Sequence, residues 1–507
     1  MIVRLVLASI RQRPGRSLLL LMGYALGVGV TIALLSIGGA LVTQAQDRRL
    51  LGGGDLAVLP AGIDLETLKT GGVSSMYFTI DQAPFLYREV LASPRFEAEI
   101  AAVAPWIDDE LVYVERDGEL VAASAGGLVP SAANALGAAP EIVAGGWDDV
   151  HADRVWMRPT DAELYPSLDG LHLPTGEAAG DSTWAEWHYF NVLLPDDAGW
   201  LYLTYMVAGA VSDGRWGGRM LATLVRPGLP ERVYSADYEA ADVGFAAGRP
   251  DLRIAASTVR IDEGVYRLSA IVPAASPSAS ASVGSAGPSG SGPAAGGDTL
   301  RVDLTIAAAS RRYVPPLDIG GGAFPSGYTV PLLDARATGR ICSANGCTEI
   351  DGTRAYHDHN WGVWERVTWD WGQAYLGDYS ILYGSVARSD GVEGSRFLYV
   401  ADRDGFGGVY PIRDIGVEWP GSPSPSMITV VAGRDRDSLH LAVTVRSGRV
   451  TPVPVAGSDS TVSFHQMRGT AVLTGRLGGA PVRAEGDGFF ETWSAGPRPE
   501  SIGSDDP

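Results

Sequence analysis

From residue 184 onward the chain is cut into short segments in which apolar and polar residues alternate, a period of two that strands satisfy and helices do not. The first two segments span 184–194 and 200–208 and are joined by the turn cluster Pro195-Asp196-Asp197-Ala198-Gly199. Further strands are expected at 219–225, 252–260, 265–272 and 300–307. Strands at this spacing suit a meander that closes into a barrel or stacks as a sandwich. The 65 glycines and 32 prolines among 507 residues fit an all-β body with many turns, and the length allows about three units at ~100–200 residues each. A net charge of −20 argues against a nucleic-acid partner, because phosphate binding needs a basic footprint.

One strand concentrates chemistry. Tyr356-His357-Asp358-His359-Asn360-Trp361-Gly362 holds ionisable, amide and aromatic groups with no helical spacing. On a strand, Tyr356, Asp358 and Asn360 point one way and His357, His359 and Trp361 the other. One of the two faces is expected to line a cavity. At these residues the sequence resembles the carotenoid 1,2-hydratase (hydroxyneurosporene synthase) and AttH-like family, whose pattern contains Tyr-x-Asp-His-Asn-Trp-Gly. Glu186-Trp187-His188-Tyr189-Phe190-Asn191 is similar to the family's Glu-Trp-Trp-Tyr-Phe stretch, with His188 at the second Trp. Gly486-Asp487-Gly488-Phe489-Phe490-Glu491 is a weaker third match. The resemblance covers residues 151–495. It implies a mainly β body with two lipocalin-like antiparallel β-barrels and an apolar, isoprenoid- or polyketide-like small-molecule ligand, with chemistry in some members only.

Hydration of an isolated double bond needs a dry proton donor beside aromatic faces, since burial raises a carboxyl pKa and ring quadrupoles stabilise a carbocation. Asp358 is the first candidate donor, with Tyr356 on its face, and Glu186 the second, with His188 and Phe190 beside it. The competing role for both carboxylates is structural, as acceptors for a neighbouring strand or an arginine. His359 is a candidate for hydrogen bonding or acid–base work. Trp361, Trp187, Tyr189, His188, Asn360 and Trp371 are the candidate ligand contacts. Trp361, Trp364, Trp369 and Trp371 crowd into eleven residues, where they line a pocket or plug a barrel end. No metal is expected: Cys342 and Cys347 offer too few ligands, and His357 with His359 would need a third, such as His188, from another barrel. No cofactor is expected either, because the chain has no dinucleotide fingerprint, Gly-x-Ser-x-Gly elbow or phosphate loop.

Residues 17–46 carry no charge, which is long enough to cross a bilayer as a helix, and Arg4, Arg11, Arg13 and Arg16 precede them. A single-pass anchor with a cytoplasmic N-terminus is expected, with the bulk of the chain extracytoplasmic. Residues 12–62 look like the first membrane helix and following strand of MacB/FtsX-type permeases, which implies a possible link to ABC transporter components. In an extracytoplasmic setting Cys342 and Cys347, flanking the turn Ser343-Ala344-Asn345-Gly346, are expected to form a disulfide.

The expected organisation is an anchor over 1–46 and a small α+β spacer over 47–150, with short helices at 83–91 and 96–103 and a hairpin around 115–118. A first barrel follows over 151–330, with a disordered loop at 273–297 that contains only Pro, Ala, Ser and Gly apart from Val283. A second barrel over 331–495 and a disordered tail over 496–507 complete it. Three functions compete: an anchored lipocalin-like protein that binds an apolar molecule, a hydro-lyase resembling carotenoid hydratases, and a ligand-free interaction module of an export complex.

Overall fold

The computed structural model describes residues 14–15, 18–19, 22–30, 100–137 except 117–118, 149–150, and 169–494 with short gaps in loops and longer ones at 276–297 and 319–325. The chain divides into two compact units, Met1–Thr79 with Glu99–Arg158, and Ile80–Ala98 with Pro159–Pro507. In the first unit β1 (Trp106–Arg116) and β2 (Glu119–Leu128) pair antiparallel as the hairpin expected around 115–118. Helix α1 (Pro130–Ala135) follows, with a proline in its first turn, where the missing N–H costs nothing. Residues 100–105 have no regular structure, so the helix expected over 96–103 is absent from its second half. The helix expected over 83–91, the tail and most of the expected membrane span lie outside the described residues. Within that span residues 22–30 are helical, and no helix among the described residues is long and apolar enough to cross a membrane.

Among its described residues the second unit has twenty strands. The first twelve are β3 (Trp184–Leu193), β4 (Trp200–Ala210), β5 (Arg215–Val225), β6 (Arg232–Glu239), β7 (Val243–Phe245), β8 (Asp251–Ile254), β9 (Ser257–Asp262), β10 (Val265–Pro273), β11 (Thr299–Ala308), β12 (Val314–Asp318), β13 (Ser326–Ser343) and β14 (Gly346–Val363). They form one antiparallel sheet in the order β6-β5-β4-β3-β14-β13-β11-β10-β9-β8-β7, with β12 beside β13. The sheet curls until β6 meets the end of β10, where Tyr234 bridges Ala274 and the Ala275 N–H donates to Val233 O at 2.9 Å. It is therefore a nearly closed barrel. The other eight, β15 (Val367–Leu376), β16 (Tyr379–Arg388), β17 (Glu393–Ala401), β18 (Phe406–Glu418), β19 (Met427–Arg434), β20 (Asp437–Pro454), β21 (Thr461–Leu477) and β22 (Ala480–Ser494), close completely in sequence order.

Alternation explains most of this. On β10 Tyr266, Leu268, Ala270 and Val272 are buried, and on its partner β11 Leu300, Val302, Leu304 and Ile306 are buried while Arg301 and Asp303 are exposed. These two strands pair from Tyr266↔Ile306 to Pro273↔Thr299, so the run at 276–297 joins the two arms of one hairpin within the first barrel. The segment expected as one strand over 252–260 is two, β8 and β9, broken at Ala255, whose φ of 51° no strand accommodates.

The expected boundary at 330 differs from the observed one. β13 and β14 complete the first barrel, pairing with β11 and β3, and the second barrel begins at Val367. The glycine run at 320–322 interrupts the pattern locally, but the chain after it returns to the same sheet. The hairpin of β13 and β14 carries the Cys342–Cys347 disulfide across paired positions, as expected.

Strands β3, β4, β14, β15 and β16 are buried on both faces. Their inner faces fill their own barrels, and their outer faces meet in an aromatic layer of Tyr189, Trp200, Tyr202, Tyr328, Tyr356, Trp371, Phe397, Tyr399 and Phe489. At about 1.5–3 kcal/mol for each fully buried large side chain, such a layer makes the two barrels one body.

Candidate functional site

β14 divides the candidate residues between two places. Opposite residues of an antiparallel pair share a face, and β14 pairs with β3 through His357↔Phe190, Asp358↔Tyr189, His359↔His188 and Asn360↔Trp187. Asp358, Asn360, Tyr356, Tyr189 and Trp187 therefore face the second barrel. His357, His359, His188, Phe190 and Glu186 face the interior of the first. The four candidate catalytic residues split in the same way, Asp358 and Tyr356 on one side, Glu186 and His359 on the other.

On the outer side lies a cleft between the barrels, with a cavity volume of about 130 Å³, roughly ten times what one water molecule occupies by the same measure. Its walls are Trp187, Tyr202, Met206 and Leu221 from the first barrel and Trp369, Trp371, Val386, Phe464 and Trp493 from the second. Trp187, Trp364, Trp369 and Trp493 make a chain of ring contacts, at centroid distances of 4.7, 5.8 and 4.9 Å in turn. Of the four clustered tryptophans, Trp364, Trp369 and Trp371 line the cleft. Gly384 allows this: a Cβ there would come within 2.7 Å of both the Trp371 and the Phe397 ring.

Two carboxyl groups stand in this apolar cleft, Asp358 on β14 and Glu491 on β22. Asp358 accepts from the Tyr356 hydroxyl at 2.8 Å and from the Asn360 amide at 2.7 Å, and Tyr356 in turn accepts from the Trp371 indole N–H at 3.0 Å. Glu491 accepts from the Tyr189 hydroxyl, to which the Gln466 amide donates at 3.2 Å. Burial, reinforced by the charge of Glu491, pushes the Asp358 carboxyl well above the usual range, although the bonds from Tyr356 and Asn360 pull the other way. Burial likewise raises Glu491 to about 7. Burial and the adjacent carboxyls also raise Tyr189 and Tyr356, which keeps both hydroxyls protonated as donors. Glu491 was legible only as the last residue of the third family-like stretch; nothing local marked it as ionisable chemistry.

On the inner side six residues converge: Asp169, His172, Glu186, His188, His357 and His359. His359 spans two carboxylates, its Nδ1 3.0 Å from Asp169 Oδ1 and its Nε2 2.8 Å from Glu186 Oε1. Glu186 Oε1 also accepts the His172 backbone N–H at 2.6 Å and lies 3.2 Å from His172 Nδ1. Asp169 accepts from the Tyr266 hydroxyl and faces His357 Nε2 at 3.4 Å and His188 Nδ1 at 3.7 Å. Burial would raise both carboxyls, but the surrounding histidines hold Asp169 and Glu186 below the ordinary range. Burial would lower His359, yet its two carboxylate bonds win and raise it to about 9. Burial and the neighbouring His359 charge drive His188 well below an ordinary imidazole.

Trp361, expected as a ligand contact, belongs to this inner side. Its ring stacks on His172 at 3.8 Å, over Gly327, where a Cβ would lie 2.7 Å from it. Asp169 and His172 escape a sequence reading because they sit in the irregular segment before β3, where no period marks a face. A weak signal existed: His172, His188, His357 and His359 are four of only seven histidines.

No family model matches the chain, and no curated protein matches it. Among solved structures it is similar to a protein described as a putative AttH from Nitrosomonas europaea, at 13% identity and a TM-score of 0.39, over 64% of this chain and 97% of that one. It is similar to CghA with Sch210972, at 13% identity and a TM-score of 0.41, over 65% and 96%. It is also similar to kievitone hydratase from Nectria haematococca, at 11% identity and a TM-score of 0.35, over 64% and 95%. Likeness at this level assigns no activity.

Proposed function

We propose that this chain binds an extended apolar molecule, isoprenoid- or polyene-like, in the cleft between its barrels, and that Asp358 donates a proton to a carbon–carbon double bond of that ligand as a hydro-lyase. The observation that carries this reading is the pair of protonatable carboxyls, Asp358 and Glu491, set among tryptophan faces. A plain carrier needs no dry acid, and leaving one buried costs stability that an apolar residue would not. In the proposed step the Asp358 proton passes to one alkene carbon and the π electrons form the new C–H bond, leaving a carbocation on the other carbon. The faces of Trp371 and Trp369 stabilise that cation. Water then forms the C–O bond and loses its proton to the Asp358 carboxylate, so the acid is regenerated.

Binding without turnover is the second reading, and the same cleft supports it. Two features favour a location outside the cytoplasmic membrane: an uncharged run at 17–46 behind four arginines, and a disulfide that oxidising compartments preserve. The anchored, extracytoplasmic placement is part of the proposal.

The binding claim is tested with the full chain in detergent and retinol as a polyene probe. Tryptophan emission is expected to be quenched saturably, and Leu221→Arg, which puts a charge on the cleft wall, to abolish the quenching. Unsaturable quenching, or quenching unchanged in Leu221→Arg, contradicts the cleft as the binding place.

A further inference from the structure

The inner face of β14 has no part in that chemistry, yet it gathers the most concentrated set of ligating atoms among the described residues. One ligand atom each of His172, Glu186 and His359 lie within 4.8 Å of one another, as do ligand atoms of Asp169, His188 and His357. We propose that His172, Glu186 and His359 bind one divalent transition-metal ion, with zinc the type that two imidazole nitrogens and a carboxylate suit.

Four observations carry the proposal. First, two ligand atoms about 2.1 Å from a tetrahedral metal stand about 3.4 Å apart. Glu186 Oε1 already lies 3.2 Å from His172 Nδ1 and 2.8 Å from His359 Nε2, so small shifts make room for an ion. Second, Glu186 Oε2 is buried without a hydrogen-bond partner, in a side chain with no exposure. A metal held by both carboxylate oxygens would satisfy it. Third, the supporting shell is in place: with Nε2 on the metal, His359 Nδ1–H donates to Asp169 Oδ1 at 3.0 Å, the carboxylate–histidine–metal arrangement that fixes ring and tautomer. Fourth, the His172 side chain is 30% exposed while its two fellow ligands are fully buried, which gives the ion a path in. Trp361, stacked on His172, holds that ring in plane.

The sequence carries no expectation of a metal, because a third ligand such as His188 would come from another barrel. The ligands instead come from one: Glu186 on β3, His359 on the adjacent β14, and His172 from the segment that leads into β3. Three protein ligands leave a fourth coordination position open, as in zinc sites that bind water or an exchangeable group.

The test uses the full chain without an affinity tag, treated with a chelator, dialysed and titrated with Co²⁺ as a spectroscopic probe, followed by competition with Zn²⁺. One equivalent of Co²⁺ giving visible d–d absorption that Zn²⁺ abolishes is expected. His172→Ala and, separately, the near-isosteric Glu186→Gln are expected to weaken Co²⁺ binding by roughly 100-fold or more with far-UV circular dichroism unchanged, since even outer-shell losses cost ~10–100-fold. The titration of the unaltered chain decides whether a metal binds at all: no d–d band and no retained metal would show the cluster to be an imidazolium bridging two carboxylates, and overturn the proposal. If both variants kept the unaltered affinity, the ion would be elsewhere and the assignment would fail. Glu186→Gln preserves shape, so it locates the site even where His172→Ala fails to fold.

Discussion

Asp358 is where the proposed chemistry stands or falls. Its carboxyl is raised by burial and by Glu491, while Tyr356 and Asn360 hold its two oxygens at 2.8 and 2.7 Å. Asp358→Asn keeps the shape and removes the transferable proton, so turnover is expected to fall by ~10²–10⁴ with ligand affinity unchanged. Equal loss of affinity would give Asp358 a pocket role. pH dependence follows from the same two carboxyls. Each binds its proton more tightly folded than unfolded, so its contribution to stability is complete below the ordinary carboxylate pKa of about 4 and is lost as pH climbs through the raised value. For Glu491, raised to about 7, that loss is roughly 3 kcal/mol. Denaturant midpoints should fall as pH rises from about 4.5 to about 7, and Glu491→Gln should flatten the profile there; a Glu491→Gln profile as steep as the original would refute the assignment.

At the scale of elements, the strand is the unit that makes the site, and its period of two was the most legible fact in the sequence. The split of residues 356–361 into two faces followed from alternation and is what β14 shows. Which face belongs to which cavity was not legible, because it depends on the second barrel docking against β3 and β14, a contact between residues such as Tyr189 and Glu491 that lie 302 positions apart. The boundary at 330 differs for the same reason: membership of a sheet is decided by pairing, here of β13 with β11 and of β14 with β3, and not by local composition. Close approach also leaves its mark on glycine. Gly384→Ala would drive a Cβ into Trp371 and Phe397, and a loss of about 1–3 kcal/mol with weaker ligand binding is expected from chemical denaturation and retinol titration. The β13–β14 hairpin should depend little on its disulfide. Cys342 and Cys347 close a very short loop, so Cys342→Ser with Cys347→Ser is expected to cost less than ~3 kcal/mol, and a larger loss would give the bond a role beyond its loop.

For the whole molecule, the shared aromatic layer makes the barrels interdependent. Unit 2 is therefore expected to unfold in one calorimetric transition, and two separated transitions would show the layer to be weaker than its buried rings suggest. The large features were readable because they repeat: alternation, turn clusters and a hairpin around 276–297 each recur or bracket themselves along the chain. Asp169, His172 and Glu491 were not, because each is a single residue whose meaning arises only when distant strands meet. The most direct test of the central claim is native mass spectrometry of the full chain, released from detergent after expression in a membrane-bearing host. The account predicts a mass excess that organic extraction removes and that Leu221→Arg lacks. A clean unliganded mass under gentle conditions, with Leu221→Arg indistinguishable from the unaltered chain, would contradict it.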